Sequence, residues 1–313
     1  MLLCALKEYV SYIVAVALLF AITAINPRFI SPLNLSNILS DMSAVLLLAM
    51  GVTFILLIGS IDLSIGAMSS CACVIFAVTV PHMGWMGLVL ALGYGLLAGL
   101  LSGALYVKLR IPSFITTFGT MSVWQSVALI ISNGAPQQIG KDFWQYTQWF
   151  KIKIGIVPLP FLLAMALFVA LVILEKKTKF GRTTFAVGGN ESAARMAGLN
   201  VDGTKIAVFA LMGMLSALAG VFFAAKLKSG IPTVGDPFTL TAIAAVALGG
   251  TSMSGGKGGL IKTLAGVSLV VLIQNGMNVI GVGVFWQKIT FGLIILVALY
   301  VTTDRKRRNL IVK

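Results

Sequence analysis

The sequence predicts an all-α polytopic membrane protein with about ten transmembrane helices, some of them short or broken, on the criterion of apolar run length. Hydrophobic residues make up 58% of the 313 positions and charged residues only 10%, and the mean hydropathy is +1.01. A soluble domain carries about 25% charged residues. A chain with so few charges could not cover its surface in water, so soluble and disordered classes are excluded.

Apolar runs that reach or approach about 20 residues, the length needed to cross the hydrocarbon core, recur along the whole chain. The run that follows Lys7 has the form of a signal peptide, but no small-residue cleavage site follows it, so we expect an uncleaved span. We therefore predict a single transmembrane domain, residues 1–313. The predicted spans are 9–25, 43–58, 64–80, 84–107, 113–133, 158–174, 204–225, 238–250, 261–280 and 285–303.

The basic residues predict the orientation. The chain has 23 Lys and Arg against 9 Asp and Glu, and most of these cations fall in loops that are cytoplasmic if the N-terminus is cytoplasmic. The positive-inside rule then predicts that both termini face the cytoplasm. It makes 175–203 the largest cytoplasmic loop and 134–157 the largest external loop. Because the cations lie in short loops between spans, we expect them to meet membrane lipid and not nucleic acid.

No metal, cofactor or catalytic residue is predicted. Cys71 and Cys73 stand in an apolar run, and the single His82 has no cluster of partners, which fits neither a zinc site nor a disulfide framework. The spans also lack a paired His or carboxylate constellation, so an intramembrane enzyme is the least favoured class.

The first polar break is the segment 59–66, Gly-Ser-Ile-Asp-Leu-Ser-Ile-Gly. Irregular backbone at membrane depth survives only where protein buries it or water lines it, and such breaks often mark a transport path. Asp62 would cost about 2.5–3.5 kcal/mol in the hydrocarbon, so it must face protein, water or a helix terminus. Two interpretations stay open for Asp62 and Ser64: caps of the following helix, or contacts with a substrate or ion.

The second break, 249–259, is predicted to be a flexible glycine-rich turn on the cytoplasmic side, formed around Gly250, Thr251, Gly255 and Gly256. It contains a Gly-Lys pair, but a P-loop requires G-x-x-x-x-G-K-[ST]. Thr251 stands where the first glycine is needed, and Gly258 follows Lys257. We therefore expect no nucleotide site in this chain.

The loop 175–203 contains a short helix signal. Asn190 is a good N-cap, Glu191 suits the first turn, and Gly198 suits the residue after the helix. Ala194, Arg195 and Met196 lie between them. A helix of about two turns is too short to be stable alone, so it must pack either on lipid or on a cytoplasmic partner.

Polar side chains also interrupt two spans: Gln125 in the fifth, and Asn275 with Asn278 in the ninth. Neutral amides suit an uncharged, hydroxyl-rich cargo. The alternative is that they form hydrogen bonds between helices. With Asp62 and Ser64 they are the candidates for a translocation path or its structural break.

Several of these segments, in this order, resemble one family. Residues 59–66 are similar to a G-x-I-D-L-S-V-G element, residues 188–201 to a coupling loop, and residues 244–258 to a late glycine-rich motif. The chain thus resembles the permease subunits of bacterial sugar ABC importers of the ribose, xylose and galactose type, a family that includes autoinducer-2 permeases.

The resemblance implies the permease subunit of an ATP-driven sugar importer in the bacterial cytoplasmic (inner) membrane. It implies three protein partners: a second permease subunit, identical or related; a cytoplasmic ABC ATPase; and an extracytoplasmic sugar-binding protein. Coupling to the ATPase would use Asn190, Glu191, Ala194, Arg195, Met196 and Gly198. Against the wider importer pattern E-A-A-x-x-x-G, Ser192 occupies the Glu position and Glu191 stands one residue early. The alternative function is an ion-gradient-driven secondary transporter with Asp62 as its ion site.

Overall fold

The structure is a computed structural model that describes residues 19–293, except 21, 284, 288 and 291. Long apolar helices dominate it, because a helix satisfies its backbone hydrogen bonds internally, as the hydrocarbon core requires. The helices are α1 (Pro32–Leu57), α2 (Ile65–Met83), α3 (Met86–Lys108), α4 (Ser113–Ile131), α5 (Leu159–Lys177), α6 (Lys179–Gly189), α7 (Glu191–Met196), α8 (Val201–Leu227), α9 (Phe238–Leu248) and α10 (Leu260–Ile280).

Seven of these helices are long and apolar enough to cross a membrane: α1–α5, α8 and α10. They coincide with seven of the predicted spans, and the short apolar helix α9 coincides with an eighth, so the predicted all-α polytopic class is confirmed. The predicted spans 9–25 and 285–303 lie largely outside the described residues.

One boundary was predicted wrongly. Helix α1 begins at Pro32 and not near residue 43, because its first turns carry polar residues that hide the helix from a hydropathy window. Ser31 supplies the N-cap, accepting a hydrogen bond from the Asn34 backbone N–H at 3.3 Å, and Pro32 occupies the first helical position.

Helix α8 lies at the centre of the bundle and packs against α1, α2 and α3. Glycines bring the backbones of α3 and α8 together. A Cβ on Gly99 would lie 2.2 Å from the carbonyl oxygen of Phe209, and a Cβ on Gly213 would lie 2.1 Å from that of Gly95. In lipid, the hydrophobic effect does not drive helices together, so they associate through van der Waals contacts. Small residues strengthen these contacts because they let the two backbones approach closely.

The connections gather at the two ends of the bundle. At one end, the last residue of α1 contacts α6, and the connection 58–64 contacts the turn 249–259. At the other, strand β1 (Gln137–Gln138) pairs antiparallel with β4 (Ser229–Gly230), and β2 (Lys153–Ile154) pairs with β3 (Val157–Pro158). The loop 175–203 and the turn 249–259 were predicted to be cytoplasmic and the loop 134–157 external, so the ends are called the predicted cytoplasmic end and the predicted external end.

The segment 228–237 enters the bundle before α9 begins. A Cβ on Gly235 would lie 2.3 Å from the carbonyl oxygen of Gly66 in α2, and the Thr239 hydroxyl accepts a hydrogen bond from the Gly66 N–H at 3.1 Å. With 11 residues, α9 is about 16 Å long and spans about half of the hydrocarbon core. The short helix leaves room for a cavity beside its N-terminus.

Candidate translocation cavity and coupling loop

A cavity of about 710 Å³ lies between α1, α8, α9 and α10. Its wall combines aromatic rings with carboxylate and amide groups. Sites for small molecules are built in this way, from apolar surface and a few polar groups that fix the orientation of the ligand. The wall includes Phe150, Phe222, Phe223, Phe238, Asp41, Lys226, Asp236, Gln274, Asn275 and Asn278.

Asp236 is an acidic group of this wall that accepts hydrogen bonds from two neighbouring helices. Its Oδ2 accepts a hydrogen bond from Gln125 Nε2 of α4 at 2.7 Å, and its Oδ1 accepts one from the Ser70 hydroxyl of α2 at 3.2 Å. The Gly235 N–H donates to the same Ser70 hydroxyl at 2.8 Å. The carboxylate is therefore fixed between three elements while it lines the cavity.

Sequence reasoning missed Asp236, because residues 228–237 read as an external loop, where an acid is unremarkable. The signal was its position between Gly235 and Pro237, directly before the shortest apolar run. Gln125, which was predicted for the path, stands behind Asp236 as its hydrogen-bond donor.

Two further predicted residues lie on the cavity wall. Asn275 exchanges amide hydrogen bonds with Asn34 at 2.8 and 3.1 Å, which joins α10 to α1. Asn278 accepts a hydrogen bond from Gln287 Nε2 at 2.8 Å. Asn275 thus makes the interhelical hydrogen bond that was the alternative to a path role and also lines the cavity.

Asp62 and Ser64 lie away from this cavity and are buried. Asp62 Oδ1 accepts hydrogen bonds from the Ser64 backbone N–H at 2.7 Å and from the Ser64 hydroxyl at 2.6 Å. Within the part of the chain that the structure describes, Asp62 Oδ2 has no hydrogen-bond partner. The carboxylate therefore satisfies the backbone immediately before α2, and its role in transport stays a prediction.

The break that carries Asp62 is held by α4. The Ile61 N–H donates to the Ser113 hydroxyl at 3.1 Å, and the Leu63 N–H donates to the Thr117 hydroxyl at 3.2 Å. Side-chain hydroxyls thus replace the helical hydrogen bonds that this irregular backbone lacks.

The short helix predicted in the loop 175–203 is α7. The Asn190 side chain accepts a hydrogen bond from the Ala193 N–H at 3.1 Å, and Gly198 has φ +74° after the last turn. Helix α6, which sequence analysis did not predict, precedes it. Within α7, Ala194 is buried on the inner face, whereas the Met196 side chain is 83% exposed.

Ion pairs hold α7 on α8. Glu191 Oε2 lies 2.7 Å from Lys205 Nζ, Glu191 Oε1 lies 3.2 Å from Arg195, and Arg195 also pairs with Asp202. Partial burial by itself would raise the pKa of Glu191, but hydrogen bonds and positive charge from Lys205 and Arg195 hold this pKa below its ordinary value. Glu191 is therefore ionised at neutral pH and paired with Lys205.

A backbone junction joins α6, the end of α1 and the glycine-rich turn. The Leu57 carbonyl of α1 accepts a hydrogen bond from the Gly256 N–H at 2.9 Å. A Cβ on Gly188 of α6 would lie 1.7 Å from the same carbonyl oxygen and 2.7 Å from the Gly256 nitrogen. The three segments therefore meet without intervening side chains.

The glycine-rich turn has an irregular backbone. Gly250, Gly255 and Gly256 have φ of +94°, +86° and +70°, and the buried Thr251 hydroxyl accepts a hydrogen bond from the Gly259 N–H at 3.2 Å. Only glycine adopts such a series of φ values readily.

A second acidic residue that was not predicted from the sequence, Glu175, joins two helices at the predicted cytoplasmic end. Glu175, at the end of α5, is buried and its Oε2 accepts a hydrogen bond from the Leu260 N–H at 2.9 Å, at the N-terminus of α10. A carboxylate is favourable there because the helix dipole is positive at its N-terminus. Because Glu175 is followed by Lys176 and Lys177, its sequence context is typical of an exposed charged residue.

A bundle of apolar helices with a cavity lined by aromatic and polar side chains, and with a short anchored helix in a loop at one end, is the architecture of a multi-pass membrane transport protein. The family described as "Branched-chain amino acid transport system / permease component" matches residues 34–299. The chain belongs to this family of ABC-importer permease components, as its motifs indicated, and it is a transport subunit of the bacterial inner membrane.

The curated relatives that match almost the full chain include three that illustrate the range of similarity. It is 37% identical to the ribose import permease protein RbsC of Bacillus subtilis (strain 168), covering 93% of this chain and 90% of the relative. It is 35% identical to RbsC of Escherichia coli (strain K12), covering 97% and 95%. It is 30% identical to the xylose transport system permease protein XylH of the same strain, covering 96% and 92%. No solved structure matches the chain.

Proposed function

We propose that this chain forms the translocation path of an ATP-driven sugar importer and couples to separate ATPase subunits through α7. The observation that carries the proposal is the construction of α7: its inner face is fixed by Ala194 and by the Glu191–Lys205 pair, and Met196 projects outward. An apolar side chain carried outward by an anchored helix is suited to enter a pocket of a separate subunit. The ATPase would receive Met196, and the junction at Gly188 would pass the movement to α1.

The cargo that suits the cavity is a neutral monosaccharide, and we propose a pentose. The aromatic wall offers apolar surface to the C–H face of a sugar ring. The Asp236 carboxylate and the amides of Gln274 and Asn278 offer acceptors and donors to its hydroxyl groups. The relatives named as ribose and xylose permeases support this class of cargo.

The partners that we propose follow from the surfaces. The predicted external end, with the paired strands β1 and β4, would receive a sugar-binding protein. Helix α4 exposes large apolar side chains such as Phe118 and Ile130, which fit lipid or a second permease subunit, identical or related.

The ion-gradient alternative is disfavoured by the position of Asp62. An ion that drives transport must exchange with the path, whereas Asp62 is 3% exposed and is not among the residues that line the cavity.

Reconstitution tests the proposed function. The chain is placed in proteoliposomes with its ATPase and binding protein, and uptake of labelled ribose and xylose is measured with ATP, with a non-hydrolysable analogue, and with ionophores. We expect uptake that requires ATP hydrolysis and persists when ion gradients are abolished. Uptake without ATP that collapses with the ionophores would establish the secondary transporter instead.

A further inference from the structure

We propose that Lys205 and Tyr106 form a relay that links the coupling helix α7 to the break at 58–64. The inference rests on the proposed function and adds to it two positioning residues that lie between the docking contact and the break at 58–64. Neither residue was singled out from the sequence, and neither lines the cavity.

The relay begins at a buried ammonium group. Lys205 lies in the second turn of α8 and is 6% exposed, and its Nζ lies 2.7 Å from Glu191 Oε2 of α7. A buried charge that loses its partner is strongly unfavourable, whereas an exposed one is compensated by water. The position of α7 therefore controls whether the charge of Lys205 is balanced.

The aromatic ring of Tyr106 is the next contact. Lys205 Nζ lies 4.9 Å from the centroid of this ring, which is the geometry of a cation–π interaction. The ring packs against Phe209 of α8, with 5.6 Å between the centroids. Tyr106 thus packs on α8, and the ammonium group of Lys205 attracts its ring.

The hydroxyl of Tyr106 reaches the break. The Ser60 hydroxyl donates a hydrogen bond to the Tyr106 hydroxyl at 3.2 Å, and Ser60 is buried two residues before Asp62. Glu191, Lys205, Tyr106 and Ser60 therefore form an unbroken series of contacts from the loop to the break.

A displacement of α7 changes every contact in this series. When Glu191 withdraws, the ammonium of Lys205 keeps only its contacts with Tyr106 and must turn toward water to be stabilised. Tyr106 then loses the cation that fixes it, and its hydrogen bond with Ser60 is released. The nearby Arg195–Asp202 pair cannot act in this way, because both side chains are about half exposed and water replaces either partner.

The test measures coupling in the reconstituted complex as sugar molecules transported per ATP hydrolysed. Lys205→Met removes the charge and keeps much of the packing volume, and Tyr106→Phe removes only the hydroxyl that meets Ser60. For each variant we expect this ratio to fall about fivefold at unchanged abundance, in the range found for mutations along coupling networks. Asp202→Asn removes the exposed ion pair between α7 and the first turn of α8 and is the matched control; it should change the ratio by about twofold or less.

A double-mutant cycle distinguishes a relay from a loss of packing. Glu191→Gln and Lys205→Met should be non-additive, so that the double variant equals the more severe single variant. Unchanged coupling in Tyr106→Phe, or fully additive effects in the cycle, would overturn the relay. Because the wild-type complex is measured in the same assay, failure of its ATP-driven uptake would instead count against the proposed function.

Discussion

Gly188→Ala should reduce sugar uptake more than about tenfold while leaving the chain in the membrane. The added Cβ would lie 1.7 Å from the Leu57 carbonyl oxygen and 2.7 Å from the Gly256 nitrogen. Both are backbone atoms, so no side chain can move aside, and α6 must separate from α1 and from the glycine-rich turn. Overpacking of this kind costs about 1–3 kcal/mol, and here it falls on the junction through which α6 and α7 would move α1.

The adjacent residue supplies the matched control. A Cβ on Gly189 would meet nothing within 4 Å, and Ala favours a helix more than Gly does. Uptake in proteoliposomes should therefore fall more than about tenfold in Gly188→Ala, if about 1.4 kcal/mol or more is lost, and stay near wild type in Gly189→Ala. Equal uptake in the two variants would show that the junction carries no movement.

Asp236→Asn should reduce sugar uptake about 10- to 100-fold, because a hydrogen bond to a charged group contributes about 1.5–3 kcal/mol. The substitution keeps the shape of the side chain and removes the charge that lines the cavity. It also weakens the bond from Gln125 Nε2, which at 2.7 Å has the length of a charge-assisted hydrogen bond. Initial rates of uptake over a range of sugar concentrations measure the loss.

Asp41→Asn is the control for charge in the same cavity. Asp41 pairs with Lys226, and both side chains are more than two-fifths exposed, so loss of this pair should cost about 1 kcal/mol or less. A thermal melt of each variant separates recognition from stability. If Asp236→Asn transports like the wild type, or if Asp41→Asn is equally impaired, Asp236 has no special part in sugar recognition.

Hydropathy predicted the spans and local capping predicted α7, because both depend on short-range free energies. A run of apolar residues makes insertion into the membrane favourable by itself. Asn190 caps α7 by accepting one hydrogen bond, from the N–H of Ala193 three residues later. The beginning of α1 was not predicted because hydropathy is averaged over neighbouring residues. The polar residues near its N-terminus outweigh the local apolar signal.

The residues that the sequence did not reveal act through partners far along the chain. Glu175 meets Leu260, and Asp236 meets Ser70 and Gln125, contacts that no spacing rule anticipates. Helix α6 was missed because the pair Gly188-Gly189 is typical of a helix end or a turn. The pair does stand at the end of α6, and in this last turn the close approach to Leu57 leaves no room for a side chain at Gly188.

The central claim is that α7 receives a separate ATPase subunit, and cross-linking from Met196 tests it most directly. Met196→Cys, with Cys4 replaced by Ser and the buried Cys71 and Cys73 retained, is labelled with a short photoreactive maleimide in the assembled, transporting complex. Lys153→Cys in β2, at the predicted external end, is the control. We expect an adduct with the ATPase from position 196 and none from position 153. A complex that transports sugar yet gives no ATPase adduct from position 196 would contradict the account.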